Sequence, residues 1–172
     1  MTPVGVEICS LTAADPVPMA QAFAEVGWPG KSVDQYRRYL SEQTDGARAV
    51  FVARADGCFA GYVTVCFTSR YPPFDAAGVP EIVDLNVLPQ FRRRRIASRL
   101  MDEAERLIVI KSDVAGIGVG LYADYAAAHL MYLRRGYLPD GRGVAYHGGT
   151  VEPGTSVRVD DDLVLMMTRR LR

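Results

Sequence analysis

Apolar positions change their period along this chain, and each period marks an element. Val4, Val6 and Ile8 alternate with Gly5, Glu7 and Cys9, which predicts an opening strand. Asp15 before Pro16 predicts a helix start, a capping side chain followed by a residue preset for the first helical position. That helix carries Met19, Phe23 and Val26 on one face and stops near Gly27. Ser32 and Gln35 form a capping box for a second helix. Its apolar edge is Val33, Tyr36, Tyr39 and Leu40, and Gly46 lies beyond its end. Ala49 to Ala53 and Cys58 to Thr68 read as a hairpin closed by Asp56-Gly57. Tyr71 to Pro80 holds three prolines and a glycine, so an irregular loop over one end of the sheet is expected there.

Glu81 to Leu88 is the next predicted strand. From Ile96 a helical stripe runs through Ala97, Leu100, Met101, Ala104, Leu107 and Ile108, with charged residues on the other face. Val114 to Tyr122 predicts a short strand. Asp124 is expected to cap a helix through about Arg135, and Gly136 to end it. Two closing strands are expected near Val144 to His147 and over Leu163 to Thr168. The order is strand, two helices, three strands, helix, strand, helix, two strands. It predicts an α/β (mixed α+β) fold, a single central mixed sheet of about seven strands flanked by about four helices. With no repeat or linker, residues 1–172 read as a single domain.

Composition narrows the function. Of 172 residues, 49% are hydrophobic and 23% charged, as in an ordinary globular chain able to bury a core. Basic and acidic residues number 20 each, so there is no global basic excess to favour nucleic acid. Cys9, Cys58 and Cys66 are scattered without a zinc spacing and read as reduced, mostly buried thiols. No signal peptide and no membrane-spanning stretch is suggested, so a cytoplasmic protein without a bound metal is expected.

Against that neutral background one cluster stands out. Asp84-Leu-Asn-Val-Leu-Pro-Gln-Phe-Arg-Arg-Arg-Arg-Ile-Ala-Ser98 runs from a strand through a proline and four arginines into a helix. A helix N-terminus presents unpaired N–H groups and partial positive charge. Arginines placed in the first turn oppose that dipole unless an anion sits among them. Backbone N–H groups together with arginines suit a diphosphate.

These residues resemble the GNAT acyl-CoA N-acetyltransferases, in which Val-x-Pro precedes Arg or Gln-x-x-Gly-x-Gly or Ala at the start of a helix. Val87-Leu88-Pro89 fits, and Arg92 to Ala97 fits at its first and last positions. Arg95 stands where the family usually has Gly, and tolerance of a side chain there is expected if Arg95 is already helical and points outward. A second family pattern, Ala-x-x-x-Tyr-x-x-x-Gly-Phe, is matched by Ala128, Tyr132, Gly136 and Tyr137. Tyr125 replaces an Asn commonly found seven residues before that tyrosine.

The resemblance implies an acetyl-CoA-dependent N-acetyltransferase that acts on a primary amine of a small molecule or peptide by direct transfer in a ternary complex. It implies acetyl-CoA contacts from Leu85, Asn86, Val87, Arg92, Arg93, Arg94, Arg95, Ile96, Ala97, Ser98 and Tyr125. It places an oxyanion-stabilising N–H near Val87 and gives Tyr132 the role of acid toward the leaving thiolate. In the histone-acetylating branch a strand Glu stands eleven residues before the opening Arg or Gln, and Glu81 has that spacing from Arg92. Glu81 is therefore preferred as base over Asp84, with water as a further alternative. By alternation the two carboxylates should lie on opposite faces.

His129 and His147 read as surface or hydrogen-bonded residues, and Trp28, Tyr36 and Tyr39 as core residues rather than pocket linings. Phe74 and Asp75 fall near the presumed acceptor side, and Asp160 to Asp162 read as a solvated turn rather than an amine attractor. The alternative reading is a non-catalytic CoA- or anion-binding sensor or interaction module. Neither nucleic acid nor membrane is expected as a partner. The acceptor's identity is not legible, and oligomeric state stays open, a homodimer included.

Overall fold

The computed structural model describes residues 5–172, so Val4 lies outside the described residues. The strands are β1 (Val6–Ser10), β2 (Arg48–Ala55), β3 (Cys58–Cys66), β4 (Glu81–Val87), β5 (Val114–Gly120), β6 (Leu138–Tyr146), β7 (Gly149–Thr150) and β8 (Leu163–Arg170). The helices are α1 (Pro16–Glu25), α2 (Val33–Thr44), α3 (Pro72–Ala77), α4 (Ile96–Lys111) and α5 (Ala126–Arg134). The sheet order is β1-β2-β3-β4-β5-β8-β6-β7, with a parallel β4–β5 pair and antiparallel pairs at β1–β2, β2–β3, β5–β8, β6–β8 and β6–β7. The mixed α/β fold is as expected, with eight strands and five α-helices among the described residues in place of about seven and four. The chain divides into two compact units, Met1–Cys66 with Val83–Leu107, and Phe67–Ile82 with Ile108–Arg172.

The first unit is built around the β2–β3 hairpin. Asp56 and Gly57 both have positive φ, 55° and 78°, which is the backbone a tight hairpin turn needs. Phe23 is fully buried against the rings of Trp28, Tyr36, Phe59 and Tyr62. Trp28 is held there because α1 ends in a Schellman turn, its N–H bonding Phe23 O and that of Gly27 bonding Ala24 O. Asp15 does not cap α1 with its side chain. That carboxylate instead accepts from the Thr12 N–H and hydroxyl and pairs with the half-buried Arg54, which takes the group from the helix end. Ser32 does cap α2, accepting from the Gln35 N–H at 3.1 Å, while the Gln35 amide turns to the Tyr39 hydroxyl instead of closing the box. Gly61 on β3 is required by close approach, since a Cβ there would lie 2.4 Å from Asn86 O on β4.

In the second unit, β5, β8, β6 and β7 form consecutive antiparallel pairs. The proline-rich segment expected to be a loop contains α3. Prolines at its first positions suit a helix start, and Gly78 at φ 62° ends it. Its purpose is packing, for Phe74 is buried with its ring over Gly116. Asp124 caps no helix. A 3-10 turn at Ala123–Tyr125 precedes α5, and the Tyr125 ring lies over Gly120. Cys58 is exposed and Cys9 and Cys66 half-buried, none of them in a disulfide, so burial is less than expected.

Candidate active site

The strand-to-helix stretch forms a recess in the first unit. Val87, Phe91, Arg92, Arg93, Arg95, Ile96, Ala97 and Ser98 line a volume of ≈ 280 Å³. Two residues shape it. Arg93 and Arg95 have φ of 63° and 60°, left-handed conformations that an L-residue adopts at about 1 to 2 kcal/mol. Neither belongs to the helix, which begins at Ile96. Arg95 is thus not a helical residue that tolerates a side chain, and the arginines precede the first turn instead of occupying it. The left-handed backbone also explains what glycine would contribute at position 95, the same φ without the steric cost.

The first helical bond runs from the Arg99 N–H to Arg95 O at 3.1 Å. The N–H groups of Ile96, Ala97 and Ser98 therefore emerge at the helix end, with the partial positive charge of α4 behind them. Left-handed residues just before a helix turn successive N–H groups toward one point, an anion-binding concavity. The arginines divide their work. Arg92 stacks on Trp28 at 5.6 Å, and Arg94 lies over Phe91 at 5.6 Å and pairs with Asp56 at 3.6 Å. Arg93 and Arg95 are exposed and form no ion pair among the described residues. Exposed guanidinium groups and helix-end N–H groups around this recess suit an anion with several oxygens.

Leu85 and Asn86 do not line the recess. Asn86 donates its side-chain amide to Asp84 O at 3.0 Å, and Leu85 is half-buried on β4. Asp84 has φ 55°, a left-handed residue inside a strand, which interrupts the alternation used to assign faces to the carboxylates. Its carboxylate accepts from the Tyr39 hydroxyl at 2.5 Å and pairs with the Lys31 ammonium at 3.6 Å. Tyr39 and Tyr36 are buried, as expected. Burial and the Asp84 charge raise the Tyr39 phenol to about 12, so it stays a hydrogen-bond donor. Lys31 and Tyr62 were not singled out in the sequence. Lys31 follows Pro29-Gly30 in an exposed connection, and Tyr62 sits in a strand whose pattern reads as core.

Glu81 lies in the second unit, half-buried, and accepts from the Ser69 hydroxyl, which itself accepts from the Tyr71 N–H at 3.0 Å. Ser69 carries no sequence signal. Tyr132 is 5% exposed on α5, and burial alone raises its phenol well above the usual tyrosine range. It is fixed by a second Schellman turn, in which the Tyr137 N–H bonds Tyr132 O and the Gly136 N–H bonds Leu133 O. The Tyr132 and Tyr137 rings lie 6.1 Å apart, so the matched tyrosine, glycine and aromatic form one helix-ending device. Tyr125 donates its hydroxyl to Asp161 at 2.8 Å, as Tyr122 also does, so it is a tyrosine already committed within its own unit. Asp160 accepts from Tyr146 at 3.2 Å, and Asp162 pairs with His147 at 3.2 Å, so this acidic run is partnered. His129 is half-buried, and Asp75 is exposed.

Among the described residues, no group of three or more His, Cys, Asp or Glu side chains is placed to hold a metal. None of the described helices is long and apolar enough to cross a membrane.

The model of the acetyltransferase (GNAT) family matches residues 14–137. A curated protein of Archaeoglobus fulgidus, described as an uncharacterized N-acetyltransferase, is 37% identical over 92 residues, covering 52% of this chain and 60% of that protein. An N-acetyltransferase from Staphylococcus aureus Mu50 superposes with a TM-score of 0.72 at 15% identity, over 98% of this chain and 99% of that one. The dodecameric spermidine N-acetyltransferase from Vibrio cholerae superposes with a TM-score of 0.66 at 15% identity, over 96% and 94%. At such identities the structural likeness speaks for the fold alone. With the family match extending from α1 through the end of α5, this chain belongs to the GNAT acetyltransferase family.

Proposed function

We propose that this protein transfers an acetyl group from acetyl-CoA to a primary amine by direct transfer in a ternary complex. The observation that carries the reading is the recess before α4. Its left-handed Arg93 and Arg95 and the emerging N–H groups of Ile96 to Ser98 offer a diphosphate both charge and directed donors. The neutral amine attacks the thioester carbonyl, the C–N bond forms, and the C–S bond breaks with its electron pair on sulfur. Tyr132 supplies the proton to that thiolate and regains one from solvent before the next turnover. Glu81, with Ser69 orienting its carboxylate, takes the proton from the amine, directly or through water.

A spermidine N-acetyltransferase among the structural neighbours makes polyamines a reasonable first acceptor class to test. Thiol release from acetyl-CoA across a panel of primary amines tests the proposal. Tyr132→Phe should lower kcat by roughly 100-fold or more, within the range for a general acid. Full turnover at every pH in that variant removes Tyr132 from the mechanism. Acetyl-CoA binding with no thiol release for any amine instead supports a sensor or interaction module.

A further inference from the structure

Lys31 is held by a set of groups that together suit an ammonium ion. Its Nζ lies 3.0 Å from the Tyr62 hydroxyl and 3.6 Å from Asp84 Oδ1. The same nitrogen stands 5.4 Å from the Tyr62 ring centroid and 5.9 Å from that of Phe23. A carboxylate, a phenol oxygen and two aromatic faces around one nitrogen are the recognition elements of an alkylammonium ion. The carboxylate is set from behind, because Tyr39 donates to its other oxygen and Gln35 donates to Tyr39. Arg48 stacks on the Tyr39 ring at 4.0 Å and Arg38 lies over it at 5.8 Å, and both arginines pair with Glu42. Asp84 takes a left-handed backbone to present this carboxylate, a cost of the kind that functional sites retain.

The occupant is loosely tethered. Lys31 belongs to the short connection between α1 and α2, where Pro29, Gly30 and Ser32 are exposed. Gly30 has φ 80° with open space where a side chain would be. Lys31 belongs to neither helix, so no helical backbone bond fixes its position. Its side chain is 18% exposed and that of Asp84 27%, so the cage opens to solvent.

We propose that the Asp84–Tyr39–Tyr62–Phe23 cage is a primary-ammonium site kept filled by Lys31 of the chain itself, and that an external amine enters by displacing Lys31. This rests on the amine-acceptor reading above. It adds a gate: the resident lysine competes with ligand at the effective concentration of a short tether, on the order of millimolar. Weakly bound amines are excluded, and amines that outcompete the tether expose Lys31.

The test reads Lys31 directly. Lys31 and Lys111 are the two lysines of the chain, so brief acetic anhydride labelling with peptide mass spectrometry has an internal control. Titrating n-butylammonium chloride into the wild-type protein should raise the ratio of Lys31 to Lys111 labelling several-fold to a plateau, the ratio cancelling the anhydride that n-butylamine itself consumes, with sodium chloride of equal ionic strength as reference. Asp84→Asn should leave Lys31 highly reactive before any amine is added. Lys31→Ala should show a saturable rise in Tm with n-propylammonium, the segment deleted, and should bind n-butylammonium roughly 10-fold more tightly than wild type once the tethered competitor is gone. Lys31 labelling that ignores n-butylammonium, or a Lys31→Ala protein whose Tm ignores n-propylammonium, overturns the proposal and makes Lys31 a fixed structural cation. If Lys31→Ala does not fold, wild-type labelling decides alone. None of these readouts involves acetyl-CoA, so a failure of acetyl transfer stays distinguishable from a failure of the gate.

Discussion

Two cationic sites in the same unit meet their counter-charges in opposite ways. Arg93 and Arg95 are exposed, sit on left-handed backbone and have no ion pair among the described residues. Lys31 is largely buried and is enclosed by a carboxylate, a hydroxyl and two rings. The first site gains a counter-charge only when an anion arrives, so binding there adds interactions. The second already has its counter-charge, so binding there exchanges one ammonium for another. Exposure of an unpaired charge and enclosure of a paired one thus predict different responses to the same kind of substitution.

The largest effect should come from the enclosed site. Asp84→Ala leaves the Lys31 ammonium without its counter-charge and the Tyr39 hydroxyl without its acceptor, and puts alanine on left-handed backbone, at a cost of about 3 kcal/mol in urea unfolding. A loss below about 1 kcal/mol would show the cage to be solvated and would erase the contrast. At the open site the double substitution Arg93→Ala/Arg95→Ala should leave stability nearly unchanged. Calorimetric titration should find acetyl-CoA binding weakened by about 30-fold, roughly 1 kcal/mol for each exposed charge-assisted bond. Unchanged affinity would mean that backbone N–H groups alone hold the anion.

Alkaline pH sharpens the comparison further. Burial first, then the charge and hydrogen bond of Asp84, raise Tyr39 from 10.0 to about 12. Above pH 10 the unfolded chain loses this proton while the folded chain keeps it, so the unfolded state binds fewer protons. Stability contributed by Tyr39 is fully present below pH 10 and is lost as pH rises toward 12. Tyr39→Phe should flatten the alkaline limb of an unfolding curve, whereas Arg93→Ala should leave its slope unchanged. The smallest effect compares two substitutions at one residue. Arg95→Gly should be more stable than Arg95→Ala by about 1 kcal/mol, because glycine alone takes φ 60° freely. Equal stabilities would show that the turn relaxes when the arginine is removed.

How much of this was legible depends on the distance over which each feature is decided. Asp56-Gly57, Gly136 and the apolar stripe of α4 announce themselves because turn backbone and helical period are local properties. The Ser32 cap is legible for the same reason. Asp15 misleads because Arg54, 39 positions away, draws its carboxylate from the cap. The proline-rich segment misleads because its helix is secured by Phe74 packing on Gly116, a contact no local pattern records. Ser69 beneath Glu81 has no local mark at all.

The sequence by itself determined the element order apart from α3 and β7, and the strand, turn and helix that make the anion recess, since neighbouring residues carry every part of it. It also marked Tyr132, Gly136 and Tyr137, whose helix-ending bonds span only a few positions. Only the tertiary structure decided that Arg93 and Arg95 turn left-handed before the helix, and that Asp84 does so within a strand. It alone brought Lys31 to Tyr62 across 31 positions and Tyr39 to Asp84 across 45. Such groups share no period or motif. Helix–sheet packing brings them together, and burial then makes each carboxylate, hydroxyl and ammonium depend on the others.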